Sequence, residues 1–439
     1  MSAAAPAPPR RPLYEDCVHC GFCLPVCPTW VSWAEEMDSP RGRIDLMRGL
    51  AEGRLAWTEP VAKHFDRCLG CLACVPACPS GVRYDVLIEQ TRAEREKRRP
   101  RRGFDRIYRE LLFSVLPYPS RLRVLARLAA LYEKAGLKGL VRRSGLLRML
   151  PRRLAELESL MPETGGDASV DLLPRRVEAV GQKRARVALV AGCVQRVFFP
   201  GVNAATVRVL SAEGCEVVVP DDQGCCGALS IHAGREEESL AFARKLIASF
   251  EKGGFDAILV NAAGCGSHLK DYDRLFAKDA AWARRASDFR ARVRDVTEFL
   301  AALPPVAPRH PIRARVAYHD ACHLAHAQGI RQQPRDLLRG IPELTIAEIA
   351  DPDQCCGSAG IYNLMEPASA GEIGERKVEN VLAAKADLLV SANPGCTLQI
   401  GRSLRRRGVA LPSLHPIEML DASIANRPPV AGWPGVSPR

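Results

Sequence analysis

A chain of 439 residues with 47% apolar side chains is globular and too long for one ordinary core, which sets two or three domains as the starting expectation. No run of about 18 uninterrupted apolar residues occurs, so no helix is expected to span a bilayer. The net charge of +12 comes from one segment: Arg92 to Arg153 carries 19 Lys and Arg against 5 Asp and Glu, and the remainder is close to neutral. Seventeen cysteines in a chain of this size point to metal ligation in a reducing compartment rather than to a disulfide framework.

Met1 to Pro12 is an Ala/Pro-rich tail without the apolar stretch of a signal peptide, so a cytoplasmic location is expected, with peripheral attachment to the inner face of the cytoplasmic membrane as a variant. Two cysteine runs follow, Cys17-x2-Cys20-x2-Cys23-x3-Cys27-Pro28 and Cys68-x2-Cys71-x2-Cys74-x3-Cys78-Pro79. In such a run three cysteines on a tight loop reach three irons of one cubane cluster, and the fourth, entering a helix, ligates the other cluster. This assigns Cys17, Cys20, Cys23 and Cys78 to one 4Fe-4S cluster and Cys68, Cys71, Cys74 and Cys27 to a second. Zinc knuckles would explain neither the third cysteine of each run nor the terminal Cys-Pro. The 40 residues between Cys27 and Cys68 leave room for a helix around Arg43 to Leu50.

Past Arg92 the basic segment, interrupted by Pro117, Pro119 and Pro151, reads as a helical connector, and Thr164 to Asp167 as a loose linker. Leu122, Leu125, Leu128, Ala129 and Tyr132 recur at helical spacing with Arg121, Arg123 and Arg127 between them. Such a stretch suits an anionic membrane surface, an acidic partner, or packing against the chain's own domains with solvated arginines. Nucleic acid is not expected, because no aromatic-basic motif accompanies the charge.

The second half repeats. In the first copy 31 residues separate Cys193 from Cys225-Cys226-Gly227 and 38 separate Cys226 from Cys265; in the second, 32 separate Cys322 from Cys355-Cys356-Gly357 and 39 separate Cys356 from Cys396. Strands are expected at Val187 to Ala191, Glu216 to Val219 and Ala257 to Val260, and again at Val316 to His319, Leu344 to Ile349 and Leu388 to Ser391. Helices alternating with short apolar strands imply parallel α/β layers, with the cysteines at the carboxyl ends of the strands where such sheets bind ligands. A two-lobed, cysteine-lined cleft follows, and the eight patterned cysteines are candidates for an additional redox or metal site. Cys215, outside the pattern, is expected to be a small core residue. His319, His323 and His326, grouped around Cys322, are a further candidate metal set or else packing residues. There is no G-x-G-x-x-G after a strand, no Walker loop and no nucleophile elbow, so neither FAD nor NAD is expected on this chain and no residue is assigned as catalytic.

At Cys17-Val-His-Cys-Gly-Phe-Cys, Ser39-Pro-Arg-Gly-Arg, Pro79-Ser-Gly-Val-Arg-Tyr84, Gly224-Cys-Cys-Gly-Ala, Gly264-Cys-Gly with Lys270-Asp-Tyr272, and Cys355-Cys-Gly-Ser-Ala-Gly-Ile-Tyr362, the sequence resembles the bacterial glycolate oxidase (glycolate dehydrogenase) iron-sulfur subunit over about Cys17 to Met419. The resemblance implies glycolate oxidation to glyoxylate on FAD-bearing partner subunits, two cubane clusters on the eight ferredoxin cysteines, and electron transfer to a membrane acceptor such as quinone. Lactate or glycerol-3-phosphate dehydrogenase subunits are related alternatives. A heterodisulfide-reductase-like disulfide reductase and a zinc-and-nucleic-acid-binding protein are alternatives of other classes. The Cys-Cys-Gly domains of heterodisulfide reductases look similar, and some of them hold noncubane clusters with a closing Cys-x2-Cys; here the third position after Cys265 is His268 and that after Cys396 is Gln399, so the fifth thiolate of such a cluster is absent from both copies. The expected architecture is an α+β multidomain chain: a ferredoxin-type domain (1–91), a basic helical connector and linker (92–184), two α/β Cys-Cys-Gly domains (185–312 and 313–425) and a tail (426–439).

Overall fold

The computed structural model describes residues 12–137, 141, 144, 152–160 and 173–433. The linker expected at Thr164 to Asp167 lies outside the described residues.

Among the described residues the second half holds two sheets. Strands β1 (Arg176–Val177), β2 (Ala185–Val190), β3 (Cys215–Val218), β4 (Ala257–Val260) and β5 (Val293–Asp295) form the first, in the order β1-β3-β2-β4-β5. Strands β6 (Ala314–His319), β7 (Leu344–Glu348), β8 (Leu388–Ser391) and β9 (Ser413–Leu414) form the second, in the order β7-β6-β8-β9. All pairings are parallel except that of the edge strand β1 with β3. With β1 set aside the two sheets have one topology, and the repeat is a repeat of folded units. The six expected strands are present, with ends shifted by one or two residues at β2, β3, β6 and β7. β1, β5 and β9 are additions of two or three residues, too short for a period-2 pattern to show.

The strands read as unbroken apolar runs because each sheet is covered on both faces. Val187 and Leu189 of β2 face one core with Val316 and Tyr318 of β6 and Leu388 and Val390 of β8, so one face of each sheet packs into a single core shared by both lobes. The alternate residues Ala188 and Val190 face a second core private to the first lobe, and Ala317 and Leu389 a third built by the second lobe with Ala263 of the first. Helix Pro416–Ile424 closes the shared core against helix Pro200–Ala212 of the other lobe, where Asp421 receives two hydrogen bonds from Arg208 at 2.9 and 2.7 Å.

Residues 12–98 carry the α-helices Pro28–Trp33, Pro40–Ala51, Glu59–Asp66 and Tyr84–Arg98. The motif Ser39-Pro-Arg-Gly-Arg starts the second of these, and each residue has a task. Ser39 Oγ accepts from the Gly42 N–H at 3.0 Å as the N-cap, and Pro40 occupies the first turn, where no N–H is needed. Arg41 pairs with Glu36 at 2.7 Å. A Cβ on Gly42 would stand 1.9 Å from the Glu36 carbonyl oxygen. Arg43 points inward, 1% exposed. The fourth cysteines differ from each other: Cys27 caps helix Pro28–Trp33, whereas Cys78-Pro79 lies in a turn because Gly81, at φ +66°, redirects the chain before the next helix begins at Tyr84.

The connector contributes helices Gly103–Val115, Pro119–Lys134 and Arg152–Leu160. Pro119 initiates a helix rather than breaking one, sitting in its first turn. Tyr108 and Leu112 join Leu160 and Leu364 in one small core, and Leu122 and Ala126 join Val197 in another, so the connector packs against both lobes. Of the apolar stripe expected along Pro119–Lys134, Leu122 is buried while Leu125 and Leu128 are 44% and 59% exposed.

Candidate functional site

Both cysteine loops turn through left-handed backbone at the same two places. His19 and Gly70 precede the middle cysteine at φ +54° and +61°, and Gly21 and Leu72 follow it at +86° and +62°. This curls Cys17, Cys20 and Cys23, and likewise Cys68, Cys71 and Cys74, around a common centre. One hollow is lined by Cys17, Cys20, Cys23, Cys74 and Cys78; a second is lined by Cys27, Cys68, Cys71 and Cys74. Cys74 belongs to both.

The second hollow is buried and positively lined. Arg43 donates from Nε to the His64 carbonyl at 2.7 Å and from a terminal nitrogen to Asp38 at 3.3 Å. Asp38, fully buried, also meets His64 Nδ1 at 2.9 Å and Arg67 at 2.8 Å. Burial would raise the Asp38 carboxyl, but His64, Arg43 and Arg67 together hold it below its ordinary range. Burial pushes Cys71 and Cys74 well above the usual thiol range. At Cys68 burial is outweighed by Arg43 and Arg92, with the Gly70 N–H at 3.4 Å and the Tyr84 hydroxyl at 3.6 Å donating to sulfur, and the thiol is held below that range. Four soft sulfur donors around one hollow, with cations and N–H groups turned toward them, suit an anionic iron-sulfur cluster.

In the two lobes the cysteines follow the carboxyl ends of the parallel strands: Cys193 after β2, Cys225 and Cys226 after β3, Cys265 after β4, then Cys322, Cys355 and Cys356, and Cys396 at the equivalent places. Gly227 and Gly357 both have φ +86°, and a Cβ on Gly357 would lie 2.6 Å from the Ala370 carbonyl oxygen, so the third residue of Cys-Cys-Gly must be glycine. The sulfurs of Cys193 and Cys225 are 3.7 Å apart. Thiol hydrogen bonds from Cys225 and Cys265 hold Cys226 well below the ordinary thiol range, and those from Cys355 and Cys396, with His319, do the same for Cys356.

The lobes are not chemically identical. His319, Cys356 and Cys396 offer ligand atoms all within 4.8 Å of one another, and neither ring nitrogen of the fully buried His319 has an oxygen or nitrogen hydrogen-bond partner. The other two histidines of the expected set are elsewhere: His323 bonds the Gly70 carbonyl at 3.1 Å, and His326 bonds the Asp353 carbonyl at 3.1 Å and accepts from Arg331. The three do not form one site, because the short helix Cys322–Ala325 turns His323 and His326 away from the strand end that carries His319. Where a closing Cys-x2-Cys would place a further thiol, His268 meets Ser239 at 3.0 Å and Gln399 donates to the Ala370 carbonyl at 3.0 Å, both buried. Cys215 is fully buried in the shared core.

All eight patterned cysteines line one cavity of about 240 Å³. The lobes face each other across it, and its remaining wall comes from the connector, through Leu116, Leu122, Leu125, Leu157 and Leu160. Packing against the chain's own domains, one of the three options for the stripe that includes Leu122 and Leu125, is what these two do; Leu116, Leu157 and Leu160 lie outside that stripe and complete the wall. Leu69 and Cys71 of the second ferredoxin loop pack in one cluster with Cys322 and Cys355, so the buried hollow abuts the second lobe.

Family profiles match three parts of the chain: "4Fe-4S dicluster domain" at 14–82, "Glycolate oxidase iron-sulfur subunit, linker region" at 104–161, and "Cysteine-rich domain" twice, at 187–270 and 316–401. The chain is 38% identical over 401 residues to the probable glycolate oxidase iron-sulfur subunit of Bacillus subtilis, covering 90% of each. It is 34% identical over 399 residues to the glycolate oxidase iron-sulfur subunit of Escherichia coli, covering 90% of this chain and 91% of that one. Lactate utilization protein A of Exiguobacterium is 31% identical over 241 residues, 54% of this chain and 98% of that one.

Proposed function

The chain belongs to the family of glycolate oxidase iron-sulfur subunits, and from that premise we propose that it carries electrons from FAD-bearing partner subunits, where glycolate becomes glyoxylate, toward a membrane acceptor such as quinone. One observation carries the reading: Cys74 lines both ferredoxin hollows, and Cys71 packs with Cys322 and Cys355, so thiol sites follow one another without a gap from the exposed Cys20 to the cavity between the lobes. In this reading Cys17, Cys20, Cys23 and Cys78 hold one 4Fe-4S cluster and Cys68, Cys71, Cys74 and Cys27 the other. Each cluster, when bound, supplies a one-electron carrier. The protein supplies the rest: Arg43 and Arg92 offset negative charge at Cys68, and the Gly70 N–H and Tyr84 hydroxyl donate to its sulfur.

The connector is the face turned to a bilayer in this reading. Phe104, Ile107 and Leu111 on one helix and Val124, Leu128 and Leu131 on the next are 51 to 68% exposed, with Arg102, Arg106, Arg121 and Arg127 exposed among them. Apolar side chains rimmed by arginine suit an anionic lipid surface. Among the described residues no helix is long and apolar enough to cross a membrane.

The test is iron, sulfide and zinc per chain on anaerobically purified protein, with EPR of the dithionite-reduced sample. About eight irons and eight sulfides with coupled cubane signals are expected. More iron than that adds a centre at the Cys-Cys-Gly cavity; zinc without sulfide overturns the proposal.

A further inference from the structure

We propose that the cavity between the lobes is the site where a lipophilic quinone binds, its ring among the cysteines and its tail passing out through the connector; this rests on the electron-transfer reading above and adds the place where the electrons leave.

The occupant follows from the lining. An apolar cavity of about 150 Å³ already accepts a benzene ring, and this one, at about 240 Å³, has thiols on two sides and leucines on the third. A water-soluble acceptor would find few polar partners against Leu116, Leu122, Leu125, Leu157 and Leu160. The few polar groups present suit carbonyl oxygens at the edge of a ring. Gln195 lines the cavity, is 3% exposed, and has its amide oxygen unpaired; a flip of that amide presents N–H instead. His232 also lines the cavity with Nε2 unpaired, its other ring nitrogen being held 3.6 Å from Glu89.

The route follows from Leu125, which lines the cavity and is nevertheless 44% exposed. The wall at that point is also the mouth, and it opens among the exposed apolar side chains and arginines of the connector. A hydrophobic acceptor is scarce in water and concentrated in lipid, so a mouth surrounded by a bilayer-seeking face draws on the membrane pool. The reaction balances as glycolate plus quinone giving glyoxylate plus hydroquinone. The two electrons and two protons lost by the substrate equal in number those gained by the two quinone oxygens, protons exchanging with water.

The experiment uses the complex with its FAD-bearing subunits, an azido-substituted benzoquinone carrying a short alkyl tail for photolabelling, and the parent quinone for turnover. Label is expected in peptides spanning 116–125, 152–160 and the Cys-Cys-Gly segments. Leu125→Glu, a change at an exposed position, and Leu157→Trp, which fills the cavity, are each expected to reduce labelling and raise the quinone KM at least tenfold. Iron content and EPR signals report that the variants have folded. Labelling and KM unchanged in both folded variants overturn the proposal, as does label confined to other surfaces or reduction of a small organic disulfide but not the quinone. A wild-type complex that reduces neither quinone nor a water-soluble dye with glycolate overturns instead the electron-transfer reading beneath it.

Discussion

Asp38→Asn tests how the buried ferredoxin hollow is supported. The substitution keeps the shape of the side chain and removes the one negative charge that Arg43, His64 and Arg67 share, leaving Arg43 1% exposed and without a carboxylate. Removing one partner of a buried ion pair costs about 3–5 kcal/mol, because the remaining charge stays desolvated. The lower end applies here, since Arg43 Nε keeps its hydrogen bond to the His64 carbonyl at 2.7 Å. At 1.4 kcal/mol per decade, local opening of helices Pro40–Ala51 and Glu59–Asp66 becomes about a hundredfold more frequent. Amide hydrogen exchange read by mass spectrometry, peptide by peptide, measures this without assuming that a multidomain protein unfolds in one step. Exchange in the peptides of β2, β4, β6 and β8 should not change, for they share no core with Asp38. A paired substitution, Asp38→Leu with Arg43→Met, should recover most of the lost protection. Protection of the two helices within threefold of wild type in Asp38→Asn would refute the reasoning, since it would mean that the charge is not needed to hold Arg43.

Gly357→Ala forces a φ of +86° on a residue with a Cβ and sets that atom against the Ala370 carbonyl; a loss of about 2–3 kcal/mol is expected, seen as a lower thermal midpoint with the ferredoxin signals retained. Glu89 is buried, which alone would raise its pKa, but His232 and Arg274 bring it down to about 2. Its folded-state value lies below the unfolded one, so its stabilisation is complete above about pH 4.5 and is lost as pH falls toward 2. Glu89→Gln should therefore be less stable than wild type at pH 7 by about 3 kcal/mol, with the difference vanishing in acid, as urea titrations at a series of pH values will read. Leu128→Glu with Leu131→Glu should abolish co-flotation of the protein with vesicles of anionic phospholipid while leaving its cluster content unchanged.

Cysteine spacing made the ferredoxin loops and the repeat legible in the sequence, because those distances are set by covalent chain length. The strands of each copy were legible for a related reason: burial on both faces leaves an apolar run that no polar residue interrupts. What lay beyond reach depended on packing between distant segments. Nothing local to Val187 or Val316 says that they share one core, so the two-lobed, cysteine-lined cleft was legible in the repeat while the common interior that holds the two lobes together was not. The exposure of Leu125 and Leu128 was hidden too, since periodicity shows that a helix has apolar residues without showing which of them find a partner. His319 was within reach: Val187 and Val316 hold equivalent registers, so the repeat sets Val190 opposite His319, a polar residue where its twin has none.

The two lobes are tied together just past the ends of β4 and β8. The Ala263 N–H donates to the Ala392 carbonyl at 3.1 Å and the Gly264 N–H to Asn393 Oδ1 at 3.3 Å, while His415 from the end of the second lobe bonds the Asn261 carbonyl at 2.9 Å. With one apolar core running beneath both sheets, these bonds forbid a clamshell movement: swinging the lobes apart would tear their common interior before it widened the gap between Cys226 and Cys356. The duplicated half is thus a rigid jaw set at fixed spacing, and any breathing that admits or releases a guest falls to the thin helical flap laid across it.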